Sequence, residues 1–230
     1  MLTEFSVFDR GPFKERAVVS LRAGASELHP ENVLESRMED SGILGSILVL
    51  GPNSAGKSVL LGSLGRLKGL ASGEAVPASS EGFAFGGGSG TTEISVSMTS
   101  RLIPYTYSIS YSSEGIVSES LYQFVTGRRS MVFLRSGGEF RFGKGAVRNR
   151  KAIQADARRS FLSVAAESGD EACSDVLREL TGMQTGVPDL EASMLFMAAD
   201  PELRNVVLRA LRLADFRVSD VRPSKEGAIV

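Results

Sequence analysis

The residues best suited to chemistry are a neighbouring lysine and serine, Lys57 and Ser58, at the end of a glycine-containing stretch. That stretch, Gly51-Pro-Asn-Ser-Ala-Gly-Lys-Ser58, satisfies the pattern G-x-x-x-x-G-K-[ST] at every position. A polyphosphate carries closely spaced negative charges, and consecutive backbone N–H groups can face them only where the chain wraps tightly, as Gly51 and Gly56 permit. The pattern therefore predicts a phosphate-binding loop.

The predicted nucleotide site consists of this loop and the residue after it. A helix beginning near Gly56 directs its positive N-terminal end at the phosphates. Lys57 reaches the β- and γ-phosphates and is the predicted catalytic residue, while the hydroxyl of Ser58 is the predicted ligand of Mg²⁺. The residues predicted to contact ATP are Gly51, Pro52, Asn53, Ser54, Ala55, Gly56, Lys57, Ser58 and Val59.

The segments on either side of the loop favour this interpretation. Ser46-Ile-Leu-Val-Leu50 is a short apolar run typical of a buried strand, and apolar residues recur at helical spacing from Val59 to Leu67. Strand, loop and helix thus follow each other in the order that a phosphate-binding loop requires. The alternative, a glycine-rich turn without a ligand, is disfavoured by this context.

The filling of the loop resembles the G-x-N-G/A-[AS]-G-K-[ST] variant of ABC-type ATPases, including their SMC and RecF relatives. Phe5-Ser-Val7, Gly11-Pro-Phe-Lys14 and Val18-Val-Ser-Leu21 are similar to the first two strands of the AAA_15/AAA_21 group of ABC-like AAA-family ATPases, and Ser41-Gly-Ile-Leu44 fits that group too. The resemblance is carried by the first 70 residues. It implies a P-loop fold that binds ATP and Mg²⁺, hydrolyses ATP and forms nucleotide-sandwiched dimers.

Motifs that the resembled family needs for hydrolysis are missing. No run of four apolar residues is followed by Asp-Glu, the pair that holds Mg²⁺ through water and orients the attacking water. Leu134-Arg-Ser-Gly-Gly-Glu139 superficially matches the L-S-G-G-Q signature, but Phe140 and Phe142 alternate after it, so Ser136-Gly-Gly138 is predicted to be a hairpin turn. The chain is therefore expected to correspond to the N-terminal half of such an ATPase, either truncated or part of a split enzyme.

Length and composition favour one domain, residues 1–230, because a chain with 42% hydrophobic residues can bury a substantial core. The strand and helix patterns predict a mixed α/β type, and the resemblance implies that the domain is an incomplete P-loop ATPase. No apolar run approaches the length of a membrane span and no signal-peptide pattern opens the chain, so a cytoplasmic protein without a membrane partner is expected. The single cysteine, Cys173, excludes an internal disulfide, and the single histidine, His29, stands in a polar stretch.

Four sub-regions are predicted along the chain. They are a P-loop strand and helix lobe at 1–70, a flexible Gly-rich loop at 71–91, an antiparallel β-meander at 92–143 and a helical region at 151–222. Strands at 2–8 and 16–22 are expected to pair beside the P-loop strand. The period-two tyrosines Tyr105, Tyr107 and Tyr111 favour packing over a base-stacking platform.

Charge is distributed unevenly although the net charge is only −1. From Arg128 to Arg159 the chain has ten basic and two acidic residues, a net charge of +8, so the remainder carries −9. One interpretation is an electrostatic footprint for nucleic acid. The other, which ordinary surface charge favours, is a solvated hairpin and helix face.

Three functions are compatible with these observations. The first is the ATP-binding portion of an ABC/SMC-like ATPase that acts as a homodimer or with a complementary ATPase half. The second is a non-catalytic module in which ATP orders an interaction surface. The third, a small P-loop kinase, is disfavoured because such folds interleave strands and helices after the loop, whereas consecutive strands are predicted here.

Overall fold

The computed structural model describes residues 1–24, 29–36, 42–125, 127–143, 156–185, 199–213 and 218–220. The chain divides into two compact units, Met1–Met183 and Gln184–Val230. The first unit is mixed α/β, as composition and patterning predict. No helix within the described ranges is long and apolar enough to cross a membrane.

Antiparallel strands form the framework of the first unit. They are β1 (Leu2–Phe8), β2 (Ala17–Ser20), β3 (Val33–Leu34), β4 (Ile43–Leu44), β5 (Thr92–Ser100), β6 (Ile103–Tyr111), β7 (Ile116–Val125), β8 (Arg128–Ser136) and β9 (Glu139–Phe142). Seven of them make one sheet in the order β2-β1-β5-β6-β7-β8-β9, and β3 pairs with β4 separately. The predicted meander and the first two predicted strands are confirmed, as is the hairpin turn between Ser136 and Glu139.

The described residues of the first unit form three helices: α1 (Lys57–Ala71), α2 (Phe161–Glu167) and α3 (Glu171–Gly182). The second unit contains α4 (Pro201–Leu213), whose N-terminus is capped because Asp200 Oδ1 accepts hydrogen bonds from the N–H groups of Glu202 and Leu203. These helices represent the predicted helical region 151–222, of which 151–155, 186–198, 214–217 and 221–222 lie outside the described residues.

The core of the first unit lies between the sheet and its helices. Period-two alternation on β5 buries Ile94, Val96 and Met98, and these residues share one cluster with Leu67 of α1 and Val176 of α3. The three predicted packing tyrosines of β6 are 0–2% exposed, and Cys173 is fully buried in the same cluster. The helices therefore pack against the apolar face of the sheet, and the residues that alternate with this face along each strand point to the other face.

The prediction of a buried strand before the phosphate-binding loop is wrong. Residues 46–50 form no strand, and Ile47, Leu48 and Leu50 are 42%, 80% and 79% exposed. β1 pairs with β2 and β5 instead, so the expected pairing of the first two strands beside this segment is also wrong. An apolar run becomes a strand only when a neighbour takes up its backbone hydrogen bonds, and no strand in the described part of the chain pairs with it.

Candidate phosphate-binding site

The predicted loop, residues 51–58 and called the phosphate loop below, wraps tightly where it meets α1. Ser54 and Gly56 have left-handed backbone angles, with φ values of 63° and 97°. The N–H of Ala55 donates to the carbonyl of Pro52 at 3.3 Å, closing a turn inside the loop. Wrapping of this kind brings successive backbone N–H groups to one side, as the pattern predicts.

Glycine is required at one of the two glycine positions of the pattern and not at the other. A Cβ atom on Gly56 would lie 2.5 Å from Cγ of Pro12 and 2.9 Å from Cζ of Phe13, in a left-handed conformation that already disfavours side chains. A Cβ on Gly51 would make an ordinary contact, 3.6 Å from Cβ of Ala55. The close approach of the β1–β2 turn therefore explains Gly56.

The N-terminus of α1 is left without a side-chain cap. Its N-cap residue is Gly56, no side chain in the described part of the chain caps this end, and the first turn contains no acidic residue. The N–H groups of the first turn have no acceptor inside the helix, and the aligned peptide dipoles add a partial positive charge there. This end of α1 is therefore suited to an anion.

Lys57 places its ammonium group at the mouth of the phosphate loop. Nζ donates to the carbonyl oxygens of Gly51 and Pro52, each at 2.7 Å. An ammonium has three donors, so these two bonds leave one for an acceptor that the described residues do not supply. Ser58 follows on the exposed side of the first helical turn. The predicted lysine and serine are thus brought together at one site.

A cavity of about 540 Å³, called the loop cavity below, opens beside the phosphate loop, and its size is within the range of small-molecule sites. Its lining residues come from the β1–β2 turn, the phosphate loop with the start of α1, and the segment before β5. They are Gly11, Pro12, Asn53, Ser54, Gly56, Lys57, Ser58, Val59, Ala84 and Phe85. The described lining thus contains one cation and no carboxylate.

The segment at 81–85 forms one wall of the loop cavity because it is bonded to the end of β1 and the turn that follows. The N–H of Ala84 donates to the carbonyl of Gly11 at 2.8 Å, and the N–H of Gly11 donates to the carbonyl of Gly82 at 3.2 Å. Asp9 accepts a hydrogen bond from the N–H of Phe83 at 2.7 Å. The wall is therefore anchored to the sheet, although it lies in the glycine-rich stretch predicted as a flexible loop.

A half-buried ionic network fixes α1 relative to the sheet. Arg10 donates to Oγ of Ser63 at 2.7 Å and to Oε2 of Glu81 at 2.7 Å. Glu81 also accepts hydrogen bonds from Tyr111 at 2.7 Å and from Arg66 at 2.8 Å. Burial alone would raise the pKa of Glu81, but these hydrogen bonds outweigh burial and hold the pKa below its ordinary value. Sequence reasoning missed this network, because Arg10 and Glu81 are far apart along the chain and match no local pattern.

No metal site is preassembled in the described part of the chain, since it contains no group of three or more histidine, cysteine, aspartate or glutamate side chains placed to hold an ion. Asp9, the acidic residue nearest in sequence to the cavity lining, accepts bonds from Phe83 and Ser89 instead. The predicted metal ligand, Ser58, therefore has no carboxylate beside it among the described residues that line the loop cavity.

Some basic residues of the stretch from 128 to 159 make hydrogen bonds within the fold. Arg135 is buried and donates to the carbonyls of Arg159 and Asp156, and Arg158 donates to the carbonyls of Ser113 and Val76. These guanidinium groups satisfy backbone acceptors and are not presented to a ligand. The nucleic-acid interpretation stays a prediction for the remaining residues, of which Lys144, Arg148, Arg150 and Lys151 lie outside the described residues.

No protein-family model matches the chain, and no curated protein matches it significantly. The resemblance to ABC-type ATPases therefore depends on the phosphate loop and its flanking segments alone.

Proposed function

We propose that this chain is the ATP-binding portion of an ABC/SMC-like ATPase and that MgATP binds at the phosphate loop. The observation that carries the proposal is the uncapped N-terminus of α1, with Lys57 at its mouth, opening into a cavity of about 540 Å³. An anion with several charged oxygens would satisfy the N–H groups and the lysine together. The site has the polarity that a polyphosphate requires.

Each part of the site has a defined role in this proposal. The ammonium of Lys57, which is bonded to two carbonyls of its own loop, would exchange them for the β- and γ-phosphate oxygens. The hydroxyl of Ser58 would supply one ligand of Mg²⁺, and phosphate oxygens and water would supply the others, as is usual for this ion. Binding therefore needs only residues 51–58 and the start of α1.

Hydrolysis needs groups that the described lining does not contain. Phosphoryl transfer depends on a positioned water and on charge stabilisation beyond the γ-phosphate. Since the loop cavity has no carboxylate among its described lining residues, the Asp-Glu pair would come from another protein segment. In this proposal the chain alone binds MgATP with negligible turnover, and a second copy or a complementary ATPase half completes the site.

The exposed segment 47–50 supports a complementary half. Leu48 and Leu50 are 80% and 79% exposed directly before the phosphate loop, and burial of such a side chain is worth about 1.5–3 kcal/mol. No backbone hydrogen bond joins residues 47–50 to another described residue. A strand from a partner would bury the leucines and use these backbone groups at once.

The non-catalytic module uses the same site and differs only in whether hydrolysis follows assembly. A small P-loop kinase is less compatible with the fold, because α1 is followed by five consecutive antiparallel strands, β5 to β9. A phosphate-release assay separates the first two functions. Turnover that appears when a half carrying the Asp-Glu pair is added supports the ATPase, and its continued absence supports the module.

The test of binding is calorimetric titration of MgATP into the purified chain and two lysine variants. Lys57→Ala should weaken binding at least about 100-fold, because a charge-assisted donor to the phosphates is lost, and should leave the circular dichroism spectrum unchanged. The control is Lys68→Ala, which removes a lysine of the same helix that bonds to the carbonyl of Met183 instead. Equal affinity of Lys57→Ala and the unmodified chain would refute the proposal.

A further inference from the structure

Phe85 is an exposed aromatic side chain on the wall of the loop cavity. Its side chain is 79% exposed, and it is the only phenylalanine among the large hydrophobic residues that stand out as exposed in the described ranges. The other hydrophobic residues exposed to this degree include Leu48 and Leu50, outside the cavity lining. Because the ring is exposed and lines the loop cavity, it is available to a ligand bound there.

The two residues before this ring are anchored by backbone hydrogen bonds. Phe83 packs edge-on against Phe85, with ring centroids 5.5 Å apart and an interplanar angle of 63°. The N–H of Phe83 is bonded to Asp9, and the N–H of Ala84 is bonded to the carbonyl of Gly11. The backbone that leads to Phe85 is therefore held against the end of β1 and the turn after it, with the ring lining the cavity.

We infer that Phe85 provides the stacking surface for the base of the nucleotide whose phosphates bind at the phosphate loop, an inference that rests on the proposed function. The phosphates belong at the start of α1, so the nucleoside must lie elsewhere along the same cavity. Beyond the loop residues, the described lining consists of small or apolar groups together with Phe85. A flat heterocycle fits against an exposed ring and against little else there.

The same lining predicts weak selectivity between bases. Stacking accepts any base because every base has a π-face, whereas discrimination needs polar groups that read the base edge. Outside the phosphate loop and the start of α1, no polar side chain belongs to the described lining. We therefore expect MgATP and MgGTP to bind with affinities within about tenfold of each other.

The experiment compares MgATP with Mg-tripolyphosphate, which carries the phosphates without a base. Phe85→Ala should weaken MgATP binding by about 5- to 100-fold and leave tripolyphosphate binding unchanged, since only the stacked group is lost. The thermal midpoint should not change, because the removed ring is exposed. Phe85→Tyr, which keeps an aromatic face, should retain the affinity for MgATP.

A fluorescent variant gives an independent measurement because the chain contains no tryptophan. The Phe85→Trp variant should lose fluorescence intensity with MgATP and show no change with Mg-tripolyphosphate. The matched control is Leu102→Trp, at a position that is 64% exposed in the turn after β5. Thr92, the first residue of β5, bonds to Asp9 at the cavity end of the sheet, and β5 spans nine residues. The turn after β5 therefore lies about 30 Å from the cavity, so the fluorescence of a tryptophan there should not change with either ligand.

Failure of the inference and failure of the proposed function give different results. If neither ligand binds the unmodified chain, the proposed function is wrong. If both ligands bind and Phe85→Ala weakens neither, the phosphate site stands and the stacking role is wrong. Equal weakening of MgATP and tripolyphosphate by Phe85→Ala would also overturn the inference, because the ring would then act through the phosphate loop.

Discussion

Helices α1 and α2 pack on the same sheet, yet their N-termini are completed differently. At α2, the carboxylate of Glu119 accepts hydrogen bonds from the N–H groups of Phe161 at 2.7 Å and Leu162 at 2.9 Å. Oγ of Ser160 accepts another from Ser163 at 3.2 Å. At α1 the cap is Gly56, and neither a side-chain cap nor a first-turn acid is present in the described part of the chain. One helix start is completed from within the fold and the other is open.

The electrostatic settings differ in the same sense. Glu119 is fully buried, and burial raises the pKa of its carboxyl although the hydrogen bonds from α2 and from Tyr107 oppose that rise. Arg135, also buried, lies 3.9 Å away. At α1 the neighbouring charge is the ammonium of Lys57, beside the loop cavity. The fold thus supplies its own hydrogen-bond acceptor to α2, whereas at α1 the positive helix end and a lysine are left for an anion from outside.

The largest expected effect comes from removing Glu119, the acceptor at the start of α2. Glu119→Ala should lower the free energy of unfolding by about 3–5 kcal/mol, because it leaves the N–H groups at the start of α2 without their acceptor and removes the carboxyl group 3.9 Å from the buried Arg135. Denaturant unfolding followed by circular dichroism measures this loss. The matched control is Glu139→Ala on β9, an exposed glutamate whose removal should change stability by less than about 0.5 kcal/mol. A similar small change in both variants would contradict a structural role for Glu119.

The next effect tests whether the open helix start depends on its glycine. Gly56→Ala should destabilise the fold by about 2–4 kcal/mol, since the residue has φ of 97° and its Cβ would lie 2.5 Å from Pro12. It should also abolish the proposed MgATP binding. Gly62→Ala, in the middle of α1 with nothing within 4 Å of the added Cβ, should instead stabilise by up to about 1 kcal/mol. Opposite signs for two alanines in one helix segment are the diagnostic result, read from thermal midpoints.

A smaller effect is the pH dependence of the stability that Glu81 contributes beside α1. The pKa of Glu81 is held below its ordinary value, so its stabilising contribution is present above pH 4.5 and is lost as the pH falls through the lowered pKa. The unmodified chain should have a higher thermal midpoint of unfolding than Glu81→Gln. This difference, equivalent to about 1–2 kcal/mol, should be constant from neutral pH to about pH 5.5 and should shrink below pH 4.5. The pKa of Asp9 is also lowered, but Asp9 is present in both proteins, so its effect cancels in the difference. A difference that grows on acidification would contradict the assigned direction.

Local patterns predicted the elements whose partners lie next to them in sequence. Period-two alternation predicted β5 to β9 because each strand pairs with its chain neighbour, and the helical spacing after the phosphate loop predicted α1. The cap of α4 at Asp200 is equally local. The loop pattern also placed Lys57 and Ser58 correctly at the start of a helix. Their ATP-related roles stay predictions.

Contacts between distant residues were beyond such patterns. The apolar run at 46–50 reads as a buried strand, but burial depends on a neighbour that the described part of the chain does not provide. Glu119 lies 42 residues before the N–H group of Phe161 that it accepts from, and Arg10 lies 71 residues before Glu81. Phe85 was hidden in a glycine-rich segment whose composition indicates only a loop. Each of these features depends on which distant segments the fold brings together, and local residue spacing carries no information about that.

The smallest effect separates the two adjacent residues that define the open helix start. Ser58→Ala should leave nucleotide binding without Mg²⁺ unchanged and weaken the Mg²⁺-dependent part by about tenfold, because one oxygen ligand of the ion is lost while Lys57 and the backbone N–H groups remain. Ser58→Thr keeps the hydroxyl and should bind as the unmodified chain does. Titrations with and without Mg²⁺ measure both parts. Ser58 is exposed, so a change in its side chain should not alter folding. An equal loss with and without Mg²⁺ would mean that the hydroxyl contacts the nucleotide itself, and the metal assignment would have to move to another ligand.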